Sequence, residues 1–188
     1  MRTLIWLLAL AFGYSVNIEA ASAQTKTPNS NQPNLLRSWP ASGKWVTVLA
    51  HTKDPGLACG MVSGHAEAGT LHYSASLVQR PNVLSIVLSD RNPASLASTD
   101  ISLLIDGVNA GTYQITNRDD TTENHSIRAD LPDSETARII TLLSTGADVK
   151  FVTKSTTYDY PLEGAAQAIR NLVQCYVEMK NLSPTDKK

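Results

Sequence analysis

Two hydrophobic periods share this chain, and the change from one to the other comes late. From Lys44 to Leu131, apolar residues alternate with polar or small ones in short runs separated by turn formers, as strands do. Structure is predicted to begin at Lys44, in KWVTVLAH. There Trp45, Thr47 and Leu49 fall on one face, with Val46, Val48 and Ala50 on the other. Thr52 to Gly56 (TKDPG) reads as a turn. The apolar run around Cys59 (LACGMVSGHA) follows, and Gly60 and Gly64 predict a bend or a close backbone approach within it. Thr70 to Gln79 alternates again, with Leu71, Tyr73, Ala75 and Leu77 facing one way. A tight connection, Arg80-Pro81-Asn82, joins it to VLSIVLSD as an antiparallel hairpin. Arg91 to Ser98 is a loop or short helical turn, and Asp100 to Ile105 is a strand. Asp106-Gly107 is a two-residue hairpin signal ahead of VNAGTYQI. Residues 117–124 read as a polar loop with three acids, Asp119, Asp120 and Glu123, and His125 to Leu131 returns as a strand.

The period then lengthens. In ETARIITLLSTG, Ala137, Ile139, Ile140 and Leu143 form an apolar face, so a helix of about three turns is expected. Asp133 or Ser134 would cap its start, and Gly146 would take the C′ position at its end. Asp148 to Lys154 is a strand with Val149, Phe151 and Thr153 on one side, and Thr156 to Leu162 extends the sheet. Gly164 opens the last helix. Its face is written by Leu162, Ala165, Ala166, Ile169, Leu172, Val173, Tyr176 and Met179, with Cys175 one turn along. The fold class is therefore mainly β with α+β character: an antiparallel, sandwich-like sheet with two C-terminal helices packed on it.

The N-terminus has a different organisation. Arg2, the apolar run Leu4 to Phe12 and the small residues Ala21-Ser22-Ala23 form a signal peptide over residues 1–23, with cleavage expected before Gln24. An uncleaved anchor is the rival reading, and the apolar run is short for a membrane span. Residues 24–43 are polar and proline-containing, a flexible leader to a single exported domain at 44–182, and 183–188 form a polar tail. In an exported chain with only two cysteines, Cys59 and Cys175 are expected to pair and to clamp the last helix onto the early strands, a buried free pair being the alternative. Net charge is −1, from 16 basic and 17 acidic residues, without the basic stripe of a nucleic-acid binder.

Candidate chemistry is sparse. The four histidines, His51, His65, His72 and His125, form no metal-ligand spacing, although His65 and His72 could meet across neighbouring strands. There is no Gly-x-Ser-x-Gly elbow, no Cys-x-x-Cys and no phosphate-cradling glycine pattern. Asp119, Asp120 and Glu123 read as a solvated acidic loop before a catalytic or calcium-holding one. No catalytic residue, metal or cofactor is assigned. What remains is recognition through loops held by a rigid sheet, at residues 52–57, 91–99 and 117–123, with Arg91, Arg118 and Asp119 as candidate partner contacts.

The C-terminal third adds a resemblance. Gly146, Val149, Phe151, Tyr160, Leu162, Gly164, Ala165, Ala166, Ile169 and Leu172 resemble the closing pattern of the invasion-associated locus B family, small exported proteins of the alphaproteobacterial periplasm. Trp45, Cys59 and Asp106-Gly107 fit it more loosely. The resemblance implies a β-rich periplasmic domain with no established enzymatic activity, in a family named for host-cell invasion by some members. It implies no catalytic residue. The expected function is that of a non-enzymatic periplasmic or envelope protein binding a protein or cell-envelope component. A structural subunit of an envelope assembly is the alternative, and a hydrolase with dispersed catalytic residues a third. Neither nucleic acid nor a stable membrane span after signal cleavage belongs to the expectation, and secretion is the alternative to the periplasm.

Overall fold

The computed structural model describes residues 34–52, 56–67, 70–80, 83–120 and 125–181; the signal segment and the first part of the leader lie outside them. Chain order runs β1 (Asn34–Ser38), β2 (Val46–Thr52), β3 (Gly56–Glu67), β4 (Thr70–Arg80), β5 (Val83–Asp90), a 3-10 turn (Pro93–Leu96), β6 (Asp100–Ile105), β7 (Val108–Asp119), β8 (His125–Leu131), α1 (Asp133–Thr145), β9 (Asp148–Val152), β10 (Thr157–Pro161) and α2 (Ala165–Asn181). The described strands join antiparallel in the order β1-β2-β3-β4-β5-β8-β7-β6-β9-β10.

One strand makes this sheet sandwich-like. β7 pairs with β6 through residues 108–114 and with β8 through residues 115–119, with a register shift where the partner changes. A bulge bends a strand at such a point, and here it lets the β6-β9-β10 portion close over the β2-β3-β4-β5-β8 portion. Alternation decides what fills the space between them: Leu84, Ile86 and Leu88 on β5, Ile101, Leu103 and Ile105 on β6, Ile127, Ala129 and Leu131 on β8 are all buried in one core. At the far edges Trp45 meets Tyr160, ring centroids 6.1 Å apart, and its Nε1 donates to the Pro161 carbonyl at 2.9 Å.

α2 covers the inner face beside β2 and β3. Ala165, Ala168, Ile169, Leu172, Cys175 and Met179 are buried at the expected three- and four-residue spacing. The Thr47 hydroxyl donates to the Ala168 carbonyl at 3.0 Å, and Cys59 and Cys175 form a disulfide. Val173, expected on this face, is 50 % exposed. It lies about 100° around the helix from Leu172, which carries it past the edge of the contact.

Five other expectations change. Regular structure starts before Lys44: β1 pairs with β2, and Trp39 is buried beneath the Arg37 guanidinium, which also reaches Glu178 on α2 at 2.6 Å. β3 runs through Gly60 without a bend, because pairing with β2 and β4 on both sides holds it extended, and its register against β4 shifts between His65 and Ala66, just past Gly64. Asn117 to Asp119 belong to β7, their backbone groups taken up by β8. α1 begins at Asp133 with Pro132 at its N-cap and no side-chain cap, so Asp133 and Glu135 act through their charge on the first turn. Gly146 has φ −76° and is no left-handed cap. A β-carbon there would meet the Ile105 side chain at 2.7 Å, so packing demands the glycine.

Candidate functional site

The surface loop at residues 91–99 is tied to its neighbours at several points. Asp90, the last residue of β5, accepts from the Tyr158 hydroxyl at 2.8 Å and from the Asn92 amide at 2.9 Å. Burial first, and the Asp90 carboxylate second, push the Tyr158 hydroxyl well above its usual range, so it stays a donor. Asn92 then caps the 3-10 turn through the Ala94 amide at 3.1 Å. Thr153 donates to the Ser95 carbonyl at 2.9 Å, and Ser155 to the Ala94 carbonyl at 2.8 Å. Ser98 is buried, donates to the Asp100 carbonyl at 2.7 Å and receives the Lys154 amide at 3.1 Å. The outer residues of this frame, Arg91, Asn92, Pro93 and Ala94, remain exposed.

The three residues singled out from sequence are placed around this end of the sandwich in different ways. Arg91 opens the loop and is exposed. Arg118 donates to the Leu96 carbonyl at 2.9 Å and to the Ser98 carbonyl, so its guanidinium anchors the far end of the same loop. Asp119 closes β7 opposite Ser126, with an exposed side chain. Asp120 lies next to it and faces His125 Nδ1 at 3.2 Å. Residues 53–55 and 121–124, and with them Glu123 and the middle of the 52–57 turn, lie outside the described residues.

A second polar cluster, unmarked by any motif, lies where β4, β5 and β8 adjoin on the outer face. Arg80 Nη2 donates to Ser85 at 2.6 Å and to Asp130 at 2.9 Å, and Ser85 donates to Asp130 at 2.6 Å. Arg128 Nε lies 3.2 Å from the same carboxylate. Burial would raise the Asp130 carboxyl, but hydrogen bonds from Ser85 and Thr116 and the charges of Arg128 and Arg80 outweigh it and hold it below the usual carboxylate range. Ser85 has carboxylate and guanidinium partners and no histidine base among them, so the group is an ion-paired brace and not a nucleophilic triad. Its sequence signal was thin: one Arg at the end of an apolar run and one Ser inside the next.

Among the described residues no three His, Cys, Asp or Glu side chains converge as a metal site. The strand register sets His65 opposite Tyr73, and the side chains of His65 and His72 lie outside the described set. Both cysteines are consumed in the disulfide. No described helix is long and apolar enough to cross a membrane.

These features define a class: a disulfide-clamped antiparallel sandwich with two C-terminal helices and a braced loop at one end. No protein-family model matches the chain, and no curated protein sequence matches it. Its fold is similar to the crystal structure of invasion associated protein B from Bartonella henselae, with a TM-score of 0.52 at 14 % identity, over 76 % of this chain and 98 % of that one. The resemblance read from the closing pattern around Leu162 and Gly164 thus holds at the level of the fold.

Proposed function

We propose that this chain is a non-enzymatic protein of the bacterial periplasm that binds a protein or cell-envelope component with the braced end of its sandwich. The observation that carries the reading is the 91–99 loop. Its ends and middle are tied down by Tyr158, Arg118, Thr153 and Ser155, while Arg91 to Ala94 face outward. A loop ordered in advance loses little entropy on binding, so a few contacts suffice for recognition. Arg91 is the proposed direct contact, Asp119 a neighbouring acidic one, and Arg118 a positioning residue. The disulfide, the signal segment and the fold likeness to an invasion-associated protein support an exported setting. Partners carrying carboxylate or phosphate groups suit Arg91 best.

The test is in-place crosslinking in the periplasm of a host expressing the full-length chain, with captured partners read by mass spectrometry. One dominant partner is expected, lost with Arg91→Glu and retained with Lys150→Glu on the outer face of the β6-β9-β10 portion. Background envelope proteins alone, or a partner indifferent to Arg91→Glu, would overturn the reading.

A further inference from the structure

We draw no further inference here: the strongest candidate, the apolar stripe that Val173 and Val177 expose on the outward side of α2, is an unpartnered helix face, and nothing in the structure shows what covers it.

Discussion

Gly43 and Gly164 lie 121 positions apart in the chain and are needed for each other. Both have positive φ, 59° and 81°; a β-carbon on Gly164 would fall on the Ser42 carbonyl, and one on Gly43 on the Glu163 carbonyl. The first contact lets the β1–β2 connection lie against the entry to α2. Gly164→Ala incurs the left-handed backbone cost of about 1–2 kcal/mol and a collision with main chain, so a loss of at least about 2 kcal/mol in denaturant unfolding is expected. Gly43→Ala should act similarly, and the double variant should lose less than the sum, because one displacement relieves both. Asp130 sets a pH dependence. Its carboxyl is depressed in the folded chain, so its contribution is present above the unfolded value near 4 and disappears as the pH falls through the lower folded value. Unfolding midpoints should therefore drop below about pH 4, and Asp130→Asn should flatten that decline while lowering stability at neutral pH.

At the scale of elements, the disulfide and the braced loop carry the predictions. Cys59 and Cys175 close a loop across 116 positions, for which the chain-entropy account gives about 4–5 kcal/mol. Reduction should lower the unfolding midpoint by a corresponding amount, and Cys59→Ser with Cys175→Ser should reproduce it without reductant. α2 should stay docked in the folded state, since Ile169, Leu172 and Met179 bury its face independently. For the 91–99 loop, Arg118→Ala removes the donors to Leu96 and Ser98. Amide exchange at Ala97 and Ser98 should then accelerate about tenfold, the loss of roughly 1.4 kcal/mol of local stability, with core strands unchanged. No change in exchange would show that Thr153 and Ser155 suffice to hold the loop.

For the whole molecule, the legible part was the inner surface. Residues such as Ile101, Leu103 and Ile105, or Val149 and Phe151, announce a buried side by alternation alone, and they are buried. The Asp106-Gly107 hairpin was equally plain, and both residues take positive φ. The candidate site was legible only as positions. Arg118 was visible as a charge beside a loop, but its bonds to carbonyls twenty and more residues away have no local signature. β1 was hidden for a related reason: its polar, proline-flanked surroundings resemble a leader, and pairing with β2 is what holds it.

The strand periods, the two helices, the hairpin turn and the one available cysteine pair were all readable along the chain, because each depends on residue type and spacing within a few positions or on a count. The shared service of β7 to both portions of the sandwich, the interlock of Gly43 with Gly164, and the brace of three strands by Arg80, Ser85 and Asp130 arise only in the closed fold. Those features depend on which remote backbones and side chains come within a few ångströms of one another. Local periodicity carries no information about that until the sheet has closed.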